Sequence, residues 1–576
     1  MKYTLRFTRD FLGPLWPWYL AGAVAVLLTN LLSVRIPIEL GHGLDALRAG
    51  NADGVGSAAW HIAALGLLVI VVRSLSRVAF FTPGREAEFN VREAMFQKLL
   101  ILQPDFYRSN TTGDLMSRAT VDVTQARVVA GFATLQVINV LGAIGLGVTQ
   151  MWWLSPTLTF AALIPVALGF LGVQFGLGRM MTLQRQAQAN LGAFADHFLG
   201  TIQGVATVQA FCVEGPFVER LAERAGQVRA TNLELARMRA VLFPLFTLGS
   251  GVSVFVLIWV GGPIALSGAL SPGQLAAFLG MLGLMVGPLM ALGFVVSVIQ
   301  RGEASLERIY SVLDAPERRP ERESGTQPLP RPGRGPSIEL RGLSFGYTPG
   351  QLVLLDLNVT VPAGATIGIF GRTGSGKSTL LRVLARLEDP PPGTVWIDGV
   401  DVRTLDLDAW RQRFVLVPQT PFLFGETIAE NVGFGADKAE VERAVAAAAL
   451  GPDLAAQPLG LQTVVGERGI VLSGGQRQRV ALARGLLRPA ELVMLDDVMS
   501  AVDHRTEQEL IHTLRTASDS YASTRFMVSH RMSVLQQCDV VWVFEGGRLT
   551  AAGSHAELLN LPGLYHDAWV AQQGEA

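Results

Sequence analysis

The sequence predicts an α-helical transmembrane domain with six spans, followed by an α/β domain built around a phosphate-binding loop. The chain has 576 residues, of which 49% are hydrophobic and only 16% are charged, so a large apolar excess must be buried. Long apolar runs are confined to the N-terminal part, whereas a glycine-rich loop, GRTGSGKST at 371–379, lies in the C-terminal part. We therefore predict a membrane domain at 1–313 and a soluble domain at 337–576. A linker rich in proline, arginine and glycine joins them at 314–336.

The six predicted spans are apolar runs long enough to cross hydrocarbon as helices, which takes about 20 residues. They lie at 15–38, 57–83, 128–150, 155–178, 242–266 and 272–298. Arginine is concentrated in the connections between spans two and three and between spans four and five, whereas the opposite segments carry only Arg48. Because positive loops stay in the cytoplasm, we predict a cytoplasmic N-terminus, cytoplasmic long connections and a cytoplasmic C-terminal domain. The N-terminal segment has no small-residue cleavage site, so we expect no cleaved signal.

Both long connections carry apolar residues at three- and four-residue spacing, which predicts that the spans continue as helices well beyond the membrane. Glycine lies beside polar residues near 108–118 and 211–220, so we expect the helices to turn there. These two helix tips are candidates for contact with a cytoplasmic domain.

Polar side chains inside the predicted spans are costly in lipid and therefore indicate a cavity between helices. The candidates for lining a substrate cavity are Arg35, Arg73, Arg77, Gln136 and Asn139. For Arg73 and Arg77, snorkelling near a helix end or pairing with an acid is an equally good interpretation.

The glycine-rich loop follows a short apolar strand, ATIGIF, and satisfies the G-x-x-x-x-G-K-[ST] pattern of a nucleotide-binding P-loop. Its glycines let backbone N–H groups wrap phosphates, Lys377 supplies a positive charge, and the Ser378 hydroxyl is a ligand for Mg²⁺. We predict that the loop binds ATP with Mg²⁺ through Gly371, Arg372, Thr373, Gly374, Ser375, Gly376, Lys377, Ser378 and Thr379.

Two further stretches complete the predicted nucleotide machinery. LVMLDD at 492–497 has the pattern of a second nucleotide strand, with Asp496 as a magnesium ligand. LSGGQ at 472–476 places Ser473, Gly474 and Gly475 just before a basic helix, which makes a second cradle for an anion. One ATP needs one cradle, so the second cradle indicates that this chain completes a nucleotide site on another chain.

In these motifs the chain resembles the ABC transporter family, in the form of an exporter-type half-transporter, and the resemblance covers nearly the whole chain. LSGGQ is similar to the ABC signature, which implies that Leu472, Ser473, Gly474, Gly475 and Gln476 contact nucleotide. The resemblance also implies a role for Tyr347 in stacking on adenine, for Gln419 in contacting Mg²⁺, and for His530 in contacting the γ-phosphate. A buried core residue is the alternative interpretation of Tyr347 and of His530.

Two short segments resemble parts of the family that lie between domains or between chains. SAVD at 500–503 resembles the D-loop, so that Asp503 would lie at a dimer interface. GERG at 466–469 resembles an exporter-specific loop that contacts the cytoplasmic helix tips.

The departure from the family pattern is Asp497, since most active members have glutamate there to polarise the attacking water. Aspartate draws the carboxylate back by roughly one C–C bond, and a misplacement of about 1 Å can cost on the order of a hundredfold in rate. We therefore expect slow hydrolysis at this chain's own site, although an aspartate that works through backbone adjustment is an alternative. The combination of an intact signature and a shortened base resembles the degenerate-site subunit of heterodimeric bacterial multidrug exporters.

The resemblance implies ATP-driven export of amphiphilic drugs, lipids or peptides by alternating access, in the bacterial cytoplasmic membrane. The expected partners are a second half-transporter that carries a catalytic glutamate, the lipid bilayer and a small amphiphilic substrate. A homodimeric lipid or peptide flippase and a nucleotide-gated regulatory membrane protein remain alternatives. The net charge of −1 gives no reason to expect a nucleic-acid partner.

Overall fold

The computed structural model describes residues 1–102, 104–316, 335–348, 350–466, 469–500, 502, 504–519 and 523–574. The chain forms two compact units. Unit 1 comprises Met1–Ile101 and Asn110–Ala315, and unit 2 comprises Leu102–Ser109 and Pro316–Ala576. The greater part of the predicted linker, residues 317–334, lies outside the described residues.

The described part of unit 1 is helical. Its α-helices are α1 (Lys2–Phe7), α2 (Trp16–Arg48), α3 (Ala52–Ile101), α5 (Thr112–Ser117), α6 (Val123–Val128), α7 (Thr134–Leu154), α8 (Pro156–Gln203), α9 (Val205–Ala210), α10 (Glu214–Leu266) and α11 (Pro272–Leu313), while α4 (Pro104–Ser109) belongs to unit 2. Single π-helical turns at Thr8–Leu12, Arg118–Asp122 and Val129–Ala133 join several of them. The predicted helical connections are present, since α3, α8 and α10 have 50, 48 and 53 residues.

Five helical stretches among the described residues are long and apolar enough to cross a membrane. They are Lys2–Arg48, Ala52–Ile101, Thr112–Leu154, Leu248–Leu266 and Pro272–Leu313. The fourth predicted span, 155–178, falls in α8, where the described apolar stretch is the shorter Pro156–Gly169. Several side chains after residue 169 lie outside the described part, so six spans remain a prediction.

The two expected turns lie where glycine and polar residues predicted them. Between α4 and α5 the chain turns at residues 110–111, and the Thr111 hydroxyl caps α5 by accepting a hydrogen bond from the Asp114 amide. Between α9 and α10 the turn includes Cys212, whose φ of 53° lies in the left-handed region. The role of these tips in contacting a cytoplasmic domain remains a prediction.

Close backbone approach fixes the start of α11 against α2. Ser271 caps α11 in a reciprocal pair with Gln274. The Asp45 carboxylate on α2 accepts hydrogen bonds from the Ser271 hydroxyl and, at 2.8 Å, from the Gly273 amide. Gly41 and Gly273 meet so closely that a Cβ on either would overlap the other's carbonyl oxygen. This contact therefore requires two residues without side chains.

Unit 2 contains two sheets. The strands are β1 (Ile338–Phe345), β2 (Leu354–Val361), β3 (Thr366–Gly371), β4 (Val395–Ile397), β5 (Val400–Asp401), β6 (Phe414–Val417), β7 (Leu492–Asp496), β8 (Thr524–Val528), β9 (Val540–Glu545) and β10 (Arg548–Gly553). The order is β2-β1-β4-β5 in an antiparallel sheet and β10-β9-β3-β8-β7-β6 in a sheet that is parallel except for β10. One buried core includes Trp410 on a helix and Trp542 on β9, and the other includes Val480 and Leu482 on a single helix.

Besides α4, the α-helices described in unit 2 all come after β3 in the sequence. They are α12 (Lys377–Leu384), α13 (Leu407–Gln412), α14 (Ile428–Gly433), α15 (Lys438–Ala447), α16 (Gly451–Ala455), α17 (Gly474–Leu486), α18 (His504–Asp519), α19 (Met532–Leu535), α20 (His555–Leu559) and α21 (Leu564–Gly574). Because β3, β6, β7 and β8 are parallel, their carboxyl ends lie at one edge, where ligands bind in open α/β sheets.

The contact between Gly41 and Gly273 gives a testable prediction for the stability of unit 1. We expect Gly273→Ala to lower the free energy of unfolding by about 1–3 kcal/mol, because the new methyl group overlaps backbone that cannot rotate away. Thermal unfolding of the purified full-length chain measures the effect. Gly283→Ala on the same helix is the matched control, since a Cβ there meets open space. Equal effects of the two substitutions would contradict the explanation.

Candidate nucleotide-binding site

The phosphate-binding loop joins the end of β3 to the start of α12 and depends on glycine at defined positions. Gly374 and Gly376 have φ values of 83° and 97°, in the left-handed region that favours glycine. A Cβ on Gly376 would come within 2.8 Å of the Leu354 side chain, and one on Gly371 would overlap the Phe544 carbonyl oxygen. The loop is therefore held close to β2 and β9 in a shape that other residues could not adopt without strain.

Lys377 lies at the first position of α12 with its side chain only 7% exposed. Its ammonium group donates hydrogen bonds to the carbonyl oxygens of Gly371 at 2.7 Å and Arg372 at 2.8 Å. Burial lowers the pKa of Lys377, and the nearby carboxylates of Asp496 and Asp497 oppose that shift. The positively charged Lys377 side chain therefore lies against the glycine-rich loop, in a position that suits binding of a polyphosphate.

The loop also contains an orphaned polar group. The hydroxyl of Ser375 is buried and has no hydrogen-bond partner among the described residues. Arg372, Thr373 and Gly374 are exposed at the tip of the loop, and the start of α12 carries the positive end of the helix dipole. These donors fit a nucleoside triphosphate, whose phosphate oxygens would accept hydrogen bonds from groups such as the Ser375 hydroxyl.

Asp496 and Asp497 lie at the end of β7, each less than 8% exposed. Burial raises the pKa of Asp496, and the negative charge of Asp497 adds to the rise, while a hydrogen bond from Ser378 opposes it. Ser378, Asp496 and Gln419 line one cavity of about 960 Å³. Hydroxyl, carboxylate and amide oxygens are ligands that suit Mg²⁺, so the three predicted metal ligands fit this ion.

Asp497 is constrained by its backbone as well as by its side chain. Its φ is 51°, its amide donates to the Val528 carbonyl at 3.0 Å, and its own carbonyl accepts from the Ser500 hydroxyl at 2.8 Å. The Gln419 amide donates to the Asp497 carboxylate at 3.4 Å. Burial raises the pKa of Asp497, whereas His530 and Lys377 are the main groups that lower it. Three other predicted site residues therefore act on the Asp497 carboxylate, namely Gln419, His530 and Lys377.

His530 follows β8 by two residues and is half-buried. Its ring lies 6.3 Å from the ring of Phe370, centroid to centroid, in an edge-on arrangement. The Gln572 side chain donates to the His530 carbonyl oxygen at 2.8 Å, which fixes the backbone after the strand. Phe370 precedes the glycine-rich loop directly, so β3 and β8 bring His530 and this loop to the same edge of the sheet.

Tyr347 is 38% exposed rather than buried in a core. Its hydroxyl lies 3.1 Å from the Thr379 hydroxyl, and its ring packs edge-on against Phe345 at 5.4 Å. An accessible aromatic ring fixed beside the glycine-rich loop is suited to stacking on a base.

The signature segment forms the N-terminus of α17, as the sequence predicts. Leu472 is buried, and Ser473 caps the helix in a reciprocal pair with Gln476. The Gln476 amide also donates to Asp453 at 3.0 Å. Gly474 is exposed and a Cβ there would meet open space, so a ligand could approach this helix end closely.

Part of the predicted site cannot be placed. Asp503, and with it Ala501 of the D-loop segment, lies outside the described residues, as do Glu467 and Arg468 of the GERG segment. Their predicted roles remain predictions.

Gln478 is a site residue that sequence reasoning missed. Its side-chain amide donates to the Gln419 carbonyl at 3.2 Å and to the Ser500 hydroxyl at 3.4 Å. Gln478 therefore ties α17 to the loop after β6 and to the segment after Asp497. The available signal was a second glutamine in the LSGGQRQ stretch, two residues after Gln476.

The five candidates for a substrate cavity lie on three helices of unit 1. Arg35 is on α2, Arg73 and Arg77 are on α3, and Gln136 and Asn139 are on α7. The three arginines are exposed, and within the described part of the chain no ion pair joins them to an acid. The Asn139 carbonyl accepts a hydrogen bond from Asn30 at 3.3 Å. Their role in binding substrate remains a prediction.

Comparison with known proteins gives matches along the whole chain. Residues 19–289 match the profile of the ABC transporter transmembrane region, and residues 354–500 match that of the ABC transporter domain. The probable multidrug resistance ABC transporter ATP-binding/permease protein YheI of Bacillus subtilis is 32% identical over 98% of this chain and 96% of its own length. The multidrug resistance-like ATP-binding protein MdlA of Escherichia coli is 32% identical, over 97% and 95% respectively.

A third relative and one solved structure extend these matches. The ATP-dependent lipid A-core flippase of Chromohalobacter salexigens is 31% identical over 96% of both chains. The structure of a bacterial Atm1-family ABC exporter with ATP bound superposes with a TM-score of 0.78 at 25% identity, covering 96% of this chain and 98% of that one. These matches confirm the predicted fold class, a helical membrane domain followed by an α/β P-loop domain.

The buried acids at the end of β7 predict a pH-dependent effect on stability. Because burial raises the pKa of Asp497, the fold favours its protonated form, and this contribution is lost as the pH rises through the raised pKa. We therefore expect Asp497→Asn to raise the melting temperature of the nucleotide-free chain at pH 8. The rise should be about 2–4 °C for each kcal/mol that the buried negative charge costs the folded state. The gain should shrink as the pH falls toward 5, as measured by thermal unfolding.

Asp408→Asn is the matched control, because Asp408 is an exposed carboxylate on α13. A gain of the same size in the control, or a gain at Asp497 that does not depend on pH, would contradict the burial argument.

Proposed function

Because the chain belongs to the ABC transporter family, with an exporter-type transmembrane region fused to a nucleotide-binding domain, we propose that it is one half of a heterodimeric exporter. Family membership makes it a multi-span membrane protein that couples ATP hydrolysis to export. The finer proposal is that its own nucleotide site hydrolyses ATP slowly, a site built from Lys377, Ser378, Asp496 and Asp497. Its LSGGQ segment would complete a faster site on a partner chain.

The observation that carries this proposal is the contrast between Asp497 and the signature helix. Asp497 is buried, and the Gln419 amide approaches its carboxylate at 3.4 Å, so the short side chain has little freedom to reach further. A general base must first be within hydrogen-bond reach of its proton, and a shortfall of about 1 Å can cost on the order of a hundredfold. The α17 cap at Ser473, by contrast, is complete.

The residues for nucleotide binding support retention of ATP even where hydrolysis is slow. Lys377 and Tyr347 support this proposal, as does the Ser375 hydroxyl, which has no hydrogen-bond partner in the part of the chain that the structure describes. Ser378, Asp496 and Gln419 would hold Mg²⁺, which when bound neutralises charge on the phosphates. A site that binds firmly and turns over slowly suits the regulatory half of an asymmetric pair.

A homodimeric flippase with two aspartate sites is the second candidate. The lipid A-core flippase of Chromohalobacter salexigens aligns over 96% of this chain, which favours this candidate to the same degree as the multidrug relatives favour the first. In both cases the cargo is amphiphilic, the membrane is the bacterial cytoplasmic membrane, and the nucleotide-binding domain is cytoplasmic. The two candidates differ in which chain supplies the catalytic carboxylate.

ATP hydrolysis by variants separates the two candidates. We expect the purified chain alone to hydrolyse ATP slowly, and Asp497→Glu to raise its rate by about tenfold or more, because the carboxylate regains its reach. With a glutamate-bearing partner, Ser473→Ala should lower the rate by about tenfold, since it disturbs the cradle of the competent site. Asp497→Asn should change that rate by less than about twofold.

The decisive comparison is between the ATP hydrolysis rates of Ser473→Ala and Asp497→Asn in the same pair, because a larger loss in Ser473→Ala supports the heterodimer. If the chain alone reaches the full rate and Asp497→Asn abolishes it, the heterodimer proposal is wrong and the homodimer is supported. Glutamate-to-glutamine substitution in the partner is the positive control, and it should abolish hydrolysis.

Transport into inverted membrane vesicles distinguishes an exporter from a nucleotide-gated regulatory protein. We expect ATP-dependent accumulation of a cationic amphiphilic dye, or flipping of a fluorescent phospholipid, in vesicles that contain the assembled transporter. Lys377→Ala should weaken ATP binding at this chain's own site and reduce uptake, because the buried ammonium no longer meets the phosphates. Nucleotide binding without any ATP-dependent movement of either probe would contradict the exporter proposal.

A further inference from the structure

Arg108 lies against the proposed adenine-binding tyrosine although it is far from it in sequence. It belongs to α4, within the segment Leu102–Ser109 that forms part of unit 2. The central carbon of its guanidinium group lies 4.9 Å from the centre of the Tyr347 ring. At this distance a guanidinium and an aromatic face attract each other.

The guanidinium is held in place by a buried acid. Its two terminal nitrogens donate to the two oxygens of Glu388, at 3.0 and 3.3 Å, and Glu388 is only 6% exposed. Such a two-point pair restricts the orientation of the guanidinium plane as well as its position. Arg108 is therefore a fixed contact for Tyr347.

Glu388 also connects this pair to the glycine-rich loop. Arg382, on the helix that begins at Lys377, donates to the same Glu388 carboxylate at 3.0 Å. One carboxylate thus joins α4 to α12. Arg382 could stay paired with Glu388 if Arg108 were lost, so that loss would not strand a buried charge.

Tyr347 is consequently restrained at several points of its ring. Phe345 packs against it edge-on, Thr379 contacts its hydroxyl, and Arg108 contacts its ring. An open cavity of about 570 Å³ adjoins it, lined by Leu102, Tyr107, Arg108, Tyr347 and Arg382. A base gains more from stacking on a ring that is already fixed, because less side-chain entropy is lost on binding.

We propose that Arg108 is a positioning residue for the nucleotide base, holding Tyr347 in the orientation that stacks on adenine. The proposal rests on the proposed nucleotide site and goes beyond it by assigning base recognition to α4, outside the sequence motifs for nucleotide. Arg108 acts through Tyr347 and so affects the base, whereas the glycine-rich loop recognises the phosphates.

Calorimetric titration of the full-length chain in nanodiscs with Mg²⁺ tests this division of roles, using ATP and inorganic tripolyphosphate as separate ligands. We expect Arg108→Ala to weaken ATP binding about three- to tenfold, the range of one cation–π contact, and to leave tripolyphosphate binding unchanged. Arg108→Lys should be intermediate, since lysine keeps the charge but loses the two-point pair with Glu388.

A double-mutant cycle checks the route of the effect. Tyr347→Ala should weaken ATP binding at least as much as Arg108→Ala, and the two together should be less than additive because they act through one contact. Arg505→Ala is the matched control, since Arg505 is 90% exposed and pairs with Glu509 on α18. It should change neither ligand's affinity.

Several outcomes would overturn the proposal. Unchanged ATP affinity in Arg108→Ala would show that Tyr347 needs no support, and tighter binding would show that the guanidinium competes with the base. Equal weakening of ATP and tripolyphosphate would place the effect on the P-loop through Glu388 and Arg382. Retained tripolyphosphate binding shows that the variant is folded. If Lys377→Ala fails to weaken tripolyphosphate binding, the proposed nucleotide site itself is wrong.

Discussion

Parallel pairing of four strands is the constraint on which the rest of unit 2 depends. β3, β8, β7 and β6 are adjacent and run in the same direction, with Ile369 and Asp496 both in register with Val528. Their carboxyl ends therefore deliver the glycine-rich loop, His530, the two aspartates and Gln419 to one edge. A shift in register between any two strands would separate groups that now act on one carboxylate. The buried strand residues thus determine the geometry of the polar groups at this edge, in part through direct contacts such as the one between the Val528 carbonyl and the Asp497 amide.

At Asp497 the backbone conformation favours a short side chain, whereas activation of a water molecule favours a longer one. Its φ of 51° lies in the left-handed region, which aspartate tolerates better than most residues with a Cβ because its short polar side chain can bond locally. Glutamate would place a carboxylate further into the site but would gain less from this local bonding. Aspartate therefore suits the backbone of this turn better than glutamate does, and under the proposed function its shorter side chain reaches less far toward a water molecule. This difference is consistent with the proposed function, in which the site retains nucleotide and hydrolyses it slowly.

The parts of the candidate site whose local structure was predictable from sequence are those in which the pattern lies in consecutive residues. The P-loop, the strand that ends at Asp496 and the capped start of α17 each follow from a short pattern whose physical requirement is local. The count of six spans stays a prediction, because several side chains of α8 after residue 169 lie outside the described residues.

The contacts among Arg108, Tyr347 and Glu388 were not predictable, because Arg108 and Glu388 are separated by 280 positions. Nothing in the local sequence of either residue indicates the other. Gln478 was missed for a related reason. It lies two residues after the LSGGQ motif, but its partners, Gln419 and Ser500, lie in two other segments, and only the folded sheet brings all three together.

The candidate site contains three buried charged groups whose charges nucleotide and Mg²⁺ would balance. Burial lowers the pKa of Lys377 and raises the pKa of Asp496 and of Asp497, so the fold disfavours the charged form of all three groups. A ligand that brings phosphate to Lys377 and a cation to Asp496 supplies each with an opposite charge. Anything that binds only the folded state stabilises it by mass action, so part of the binding energy goes into the fold of unit 2. Under the proposed function, slow hydrolysis at Asp497 would prolong that stabilised state.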